Sequence, residues 1–169
     1  MQVFGIVGRK NSGKTHLVVR LVQAATQRGL AVSTVKHAHH AFDVDQPGKD
    51  SYAHREAGAR EVVVSSALRW ALLHENRGAA EPTLTELLAR LSPCDLVLVE
   101  GYKAGSHPKL EVYRKACGQP PLAREDATVE AIAVDDADAV DGSLPRLPLD
   151  DTAAVLDYIL GRAGLRPSR

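Results

Sequence analysis

Gly8-Arg9-Lys10-Asn11-Ser12-Gly13-Lys14-Thr15 has the spacing G-x-x-x-x-G-K-[ST], and each residue type in it has a physical reason to be there. Glycines allow backbone conformations that a Cβ would obstruct. Successive N–H groups can then point inward and form a concave anion nest. A helix opening at the motif adds the positive end of its dipole. Lys14 is expected to reach the β- and γ-phosphates, and Thr15 to place a hydroxyl on Mg²⁺. The context fits, because the apolar run Val3 to Val7 precedes the motif and an amphipathic stretch, Lys14 to Gln27, follows it. A chance match in a glycine-rich turn would not bring a strand and a helix with it. The chemistry expected is binding of a purine nucleoside triphosphate with Mg²⁺.

A second piece is Asp95-Leu96-Val97-Leu98-Val99-Glu100-Gly101. An apolar strand ending in an acid beside a glycine can deliver that acid to Mg²⁺, directly or through water. Glu100 is the acid expected there. A strand-end Glu that is simply solvated is the plainer alternative, and the phosphate loop upstream favours the metal role. A third piece, Lys36 to Ser51, carries His37, His39, His40, Asp43, Asp45 and Asp50. It follows the second strand, where a γ-phosphate and Mg²⁺ sensor can sit, with Asp45 or Asp50 near the metal. A plain polar loop ranks second. A transition-metal site through His37, His39 and His40 ranks third, because no distant ligand completes it. Base recognition is not signed by an Asn-Lys-x-Asp motif. Asp135 and Asp136, after the run Ala131 to Val134, can accept from guanine N1 and N2, or serve as a loop acid or helix cap. Lys103, Lys109 and Arg114 can contact phosphate, although a solvated face is the simpler reading for each.

Short Val- and Ile-rich runs alternate with helical patterns along the chain. Leu17, Val18, Leu21, Val22 and Ala25 share one face of the first helix, and Gly29 stands where a C′ glycine would. Strands are expected at Ala31 to Val35, Val62 to Ser65, Trp70 to His74, Leu96 to Val99, Leu110 to Tyr113 and Ala131 to Val134. Short helices are expected over Ser51 to Ala57 and, behind a Thr83/Glu86 capping box, through Leu91. Lys115 to Ala127 reads as loop. Asp151 caps a last helix through Leu160, ended by Gly161. Strand–helix alternation predicts an α/β fold with a mostly parallel sheet flanked by helices, and ligands beyond the carboxyl ends of the strands.

The 169 residues suit one domain: a nucleotide-binding domain over 1–163 and a flexible tail over 164–169. Twenty-one basic residues balance 21 acidic ones, which argues against nucleic acid as a partner. Aromatics at 4% argue against base-stacking platforms. No apolar run approaches the ~18 residues of a membrane span. Met1-Gln2-Val3-Phe4-Gly5 reads as the start of a strand rather than a signal peptide. Cys94 and Cys117 stand in no metal-ligand spacing, which suits a reducing cytoplasm.

The chain resembles the MobB family, accessory proteins of molybdopterin-guanine dinucleotide biosynthesis. The resemblance is carried by Gly8 to Thr15, Val35-Lys36-His37-Ala38-His39-His40, Asp43-Val44-Asp45, Pro47-Gly48-Lys49-Asp50-Ser51, Ala57-Gly58-Ala59 and Asp95 to Lys103. It runs from the N-terminus to about Gly161. It implies a three-layer P-loop NTPase fold of the signal-recognition and metallochaperone-like class, with GTP and Mg²⁺ as cofactors, weak GTPase activity and a homodimer. It implies assistance to the guanylyltransferase that joins GMP to molybdopterin, with molybdopterin itself a possible ligand. By this match Lys14 and Thr15 take phosphate and Mg²⁺, and Glu100 is the acid of the Mg²⁺ sphere. The motif itself places Gly8, Lys10, Asn11, Ser12, Gly13, Lys14 and Thr15 around the phosphates, and Lys14, Glu100 and, from the sensor loop, Asp45 are the residues expected to serve turnover. The family pattern has a second Thr after Thr15. Here it is His16, whose backbone N–H still faces a phosphate while the hydroxyl contact is lost. A rival from another class is an ATP-using small-molecule kinase. That chemistry needs arginines on a lid over the phosphates, and Arg55, Arg60 and Arg69 are scattered. A nucleotide-binding adaptor without turnover is a further alternative.

Overall fold

A computed structural model of the chain describes residues 1–38, 42–140 and 142–165. Two compact units emerge: Met1–His37 with the chain from Leu84 onward, and Ala38–Thr83.

The first unit is built on a six-stranded sheet. In chain order its strands are β1 (Gln2–Val7), β2 (Val32–Lys36), β5 (Leu96–Glu100), β6 (Lys109–Tyr113), β7 (Val129–Val134) and β8 (Arg146–Pro148). They lie in the order β2-β5-β1-β6-β7-β8, and every neighbouring pair is parallel. The central strands β1 and β5 are buried on both faces, which explains the apolar runs Val3 to Val7 and Leu96 to Val99; β6 is as buried and carries Lys109 and Glu111. Helix α1 (Lys14–Gln27) buries Leu17, Val18, Leu21 and Ala25. Helix α4 (Thr152–Ala163) buries Val155, Leu156, Ile159 and Leu160. Both pack on one face of the sheet, in a cluster with Phe4, Ile6, Leu98 and Leu110. On the other face, Val7 meets Leu122 and Val129, and Tyr113, Ile132 and Val134 meet Val140. The chain between β6 and β7 thus contributes core, and it holds two 3-10 turns, Lys115–Cys117 and Leu122–Arg124. A short helix, α3 (Leu84–Leu88), precedes β5.

The second unit contains helix α2 (Asp50–Glu56) and an antiparallel hairpin of β3 (Glu61–Ser65) and β4 (Trp70–His74). Val63, Leu68 and Trp70 on this hairpin are exposed, Trp70 at 66%.

Helix ends follow local chemistry. Gly29 adopts φ 81; its N–H donates to Thr26 O at 3.0 Å and that of Leu30 to Ala25 O at 3.1 Å. This Schellman closure satisfies the last carbonyls of α1. Asp151 caps α4, its carboxylate accepting from Ala154 N–H at 2.9 Å. Gly161 does not end that helix. The left-handed residue is Gly164, φ 66, and the same paired closure forms through Gly164 and Leu165 onto Gly161 and Leu160. Of the expected tail, Gly164 and Leu165 belong to this helix closure, and residues 166–169 lie outside those described. α3 stops at Leu88 rather than Leu91, because Arg90 and Leu91 bond three residues back instead of four. The edge strand β8 was not expected from the sequence: it is three residues long and ends in Pro148.

Candidate nucleotide-binding site

Because the sheet is parallel, its strand ends deliver their following residues to one side. β1 ends before Gly8, β2 at Lys36, β5 at Glu100, β6 before Arg114 and β7 before Asp135.

The loop from Gly8 to Thr15 needs its glycines. Gly8 has φ 152, and a Cβ there would come within 2.5 Å of Val112 O and 2.7 Å of Ser12 Oγ. Gly13 has φ 95 and Asn11 φ 62, the one non-glycine in the left-handed region within the loop, a strain typical of ligand-binding turns. Lys14 folds back over the loop, Nζ donating to Gly8 O at 3.1 Å and Arg9 O at 2.8 Å. Burial pushes the Lys14 pKa below its ordinary value, opposed by Glu100 and reinforced by Lys103. An anion beside the ammonium removes that penalty. α1 starts at Lys14 with no side-chain cap, so its first N–H groups are left for a ligand.

Thr15 and Glu100 meet: Thr15 Oγ1 donates to Glu100 Oε1 at 2.7 Å. The register explains this. Glu100 stands directly opposite Ile6 on β1 and Lys36 on β2, and Ile6 belongs to the face that α1 covers. The acid therefore turns toward the start of α1. Lys36 Nζ lies 3.3 Å from Glu100 Oε1 and donates to Thr15 Oγ1 at 3.4 Å. A hydroxyl and a carboxylate oxygen are the hard donors Mg²⁺ prefers. Ser12 is buried, and its Oγ has no hydrogen-bond partner among the described residues. That orphaned donor, the uncapped helix start and the cationic Lys14 fit a phosphate group.

Behind the loop runs a brace. Arg114 Nε donates to Ser12 O at 3.2 Å, and its guanidinium pairs with Asp135 at 3.4 Å. Arg9 donates to Pro120 O at 3.4 Å. The fully buried Glu111 accepts from the N–H groups of Leu122 and Ala123, both at 2.8 Å, and so fixes the turn behind Pro120. Burial pushes the Glu111 carboxyl above its usual range, although the two N–H donors pull the other way. Neither role is marked in the sequence: Arg114 presents there as solvated surface, and Glu111 carries no motif within its short strand.

After Glu100 the chain turns sharply, with Gly101 at φ 95 and Tyr102 at φ 49. The rings of His37 and Tyr102 lie 4.8 Å apart at 42°. His39 and His40 lie outside the described residues, and among the described residues no three His, Cys, Asp or Glu gather as metal ligands. Lys10 and His16 are exposed, and the Lys10 carbonyl accepts from Cys117 Sγ at 3.8 Å.

Asp45 and Asp50 belong to the second unit. Asp45 accepts from Ser51 Oγ at 2.9 Å and lies 3.3 Å from Arg55. Arg55 also binds Asp43 at 2.7 Å and Glu75 at 2.9 Å. The Asp45 backbone N–H, then Arg55, hold the Asp43 carboxyl below its ordinary range. Asp50 opens α2 in its first turn, where a carboxylate suits the helix dipole.

Parallel strands with a glycine-rich loop, a Lys-Thr pair and a strand-end acid around one helix start define a P-loop α/β protein of the nucleotide-binding class. Residues 3–135 match the family model for molybdopterin guanine dinucleotide synthesis protein B, MobB, and the chain belongs to that family. It is 38% identical over 152 residues to the molybdopterin-guanine dinucleotide biosynthesis adapter protein of Escherichia coli K12, covering 88% of this chain and 86% of that one. The protein of that name from Haemophilus influenzae is 34% identical over 160 residues, covering 93% and 86%. Among solved structures, Bacillus subtilis MobB superposes with a TM-score of 0.76 at 26% identity, covering 99% and 100%. The Bacillus stearothermophilus homologue superposes at 0.73 with 28% identity, covering 98% and 100%. No described helix is long and apolar enough to cross a membrane.

Proposed function

We propose that the protein is a GTP-binding adapter with slow Mg²⁺-dependent GTPase activity. It would assist the guanylyltransferase that attaches GMP to molybdopterin, as a cytoplasmic homodimer. The observation that carries the reading is the 2.7 Å contact between Thr15 and Glu100 beside the folded-back Lys14. It unites the two sequence motifs at one helix start. Family membership supplies the biosynthetic setting.

In this reading the backbone from Gly8 to His16 cradles the phosphates and Lys14 turns from its carbonyls to them. Thr15 and Glu100 would hold Mg²⁺, which supplies charge neutralisation to the bound phosphates. Arg114 keeps the loop carbonyl at Ser12 turned away from the nest. Asp135, held by Arg114, is the acid offered for guanine N1 and N2. Asp45 and Asp50 are carried as the nucleotide-responsive acids of the second unit. Slow turnover is in keeping with Glu100 serving the Mg²⁺ sphere in this reading, which leaves it unavailable as a base for water.

The test is calorimetric titration with GTP and ATP, with and without Mg²⁺. GTP preference with Mg²⁺ enhancement, together with co-elution with the guanylyltransferase, is expected. ATP preference together with phosphate transfer to a metabolite would replace the reading with a small-molecule kinase.

A further inference from the structure

We propose that the Lys36 ammonium is a built-in counter-ion for Glu100, one that a divalent cation must displace before it can bind at Thr15 and Glu100. The inference rests on the nucleotide-binding reading above and concerns how its metal enters.

Lys36 is the last residue of β2 and the direct ladder partner of Glu100. The sheet register, not a chance surface encounter, therefore brings the two together. Lys36 Nζ lies 3.3 Å from Glu100 Oε1 and 3.4 Å from Thr15 Oγ1, and those two oxygens are 2.7 Å apart. A cation this close to both oxygens competes with any other cation for them. The Glu100 side chain is 12% exposed, and an unpaired carboxylate so placed would repel an incoming triphosphate. Lys36 removes that repulsion. Its own side chain is 59% exposed, and an ammonium on a flexible four-carbon stem can swing out at little cost. The backbone stays where it is, because His37 N–H donates to Glu100 O at 2.9 Å. Nucleotide can therefore enter before metal, and the gain from metal is smaller than it would be without Lys36.

The experiment is GTP calorimetry in excess EDTA and in excess Mg²⁺, for the parent chain, Lys36→Met, Glu100→Gln, and the two substitutions combined. Melting curves establish that each chain is folded. Lys36→Met should weaken EDTA binding about three- to tenfold and leave Mg²⁺ binding within about twofold, so that the ratio widens. With Glu100→Gln already present, Lys36→Met should have almost no effect. Equal weakening in both conditions, or persistence of the effect beside Glu100→Gln, would make Lys36 an ordinary phosphate contact and overturn the proposal. An unchanged ratio would make it a solvated lysine and do the same. A parent chain that binds no GTP in either condition would remove the nucleotide reading itself, and this inference with it.

Discussion

Lys14 and Glu100 carry opposite charges at one helix start, and their substitutions should separate cleanly. Lys14→Ala removes the ammonium that folds back over the loop, so GTP affinity should fall at least about tenfold with or without Mg²⁺. Glu100→Gln leaves a neutral side chain of the same shape. It should reduce the gain from Mg²⁺ and leave metal-free GTP binding equal or tighter. Calorimetry reads both. The identities of Lys14, Thr15 and Glu100 were legible in the sequence because spacing and strand context mark them. The place of Lys36 was not, since it depends on β2 lying next to β5, and strand order is not written in local pattern. The support that Arg114 gives the loop is not legible for the same reason: its partners Ser12 and Asp135 lie in the segments that follow β1 and β7, the two strands beside β6.

At the scale of elements, most of the architecture followed from period and punctuation. α1 runs over Lys14–Gln27 as expected, because an apolar face, a glycine before it and a glycine after it all agree. β3 was legible from its Val62-Val63-Val64 run, and β4 from a short apolar run opened by Trp70. β8 was not, because three residues ending in proline offer no period. Gly161 misled in the other direction. A glycine inside a helix costs only about 1 kcal/mol, and here Gly164 provides the left-handed turn. The Asp151 cap gives a direct test of α4. Asp151→Ala should cost about 1 kcal/mol in urea unfolding, and Asp151→Ser should recover most of it. Glu111 offers a second test. Replacing it with Gln leaves one of the two buried N–H groups facing an amide donor, at a cost of about 1–3 kcal/mol. Because the turn it holds positions Pro120 behind Arg9, GTP affinity should weaken along with stability.

For the whole molecule, acid sensitivity has an identifiable source. The His107 ring is wedged between Gly5 and Gly105, where a Cβ at either would come within 2.7 Å or 2.5 Å of its nitrogens. Burial, then Lys109, push the His107 pKa below its ordinary 6.5, while Asp126 opposes them. A histidine held neutral by the fold contributes stability above its unfolded pKa, near 6.5. That contribution is lost as pH falls toward the lower folded value. The melting temperature should therefore drop as pH is taken down through 6.5, and His107→Gln should flatten that slope even if it lowers the plateau. The second unit leans on another group, Arg55, which joins Asp43, Asp45 and Glu75. Arg55→Met should speed hydrogen exchange within residues 42–83 while sparing the six-stranded sheet. The hairpin of that unit also decides what light can report. Trp70 is the single tryptophan of the chain, and it stands exposed on β4, whereas three of the four tyrosines, Tyr102, Tyr113 and Tyr158, belong to the nucleotide-binding unit. Indole emission will thus be red-shifted in the native protein and nearly blind to the melting of the parallel sheet, so a fluorescence trace that stays flat while ellipticity collapses is the optical signature this fold should give.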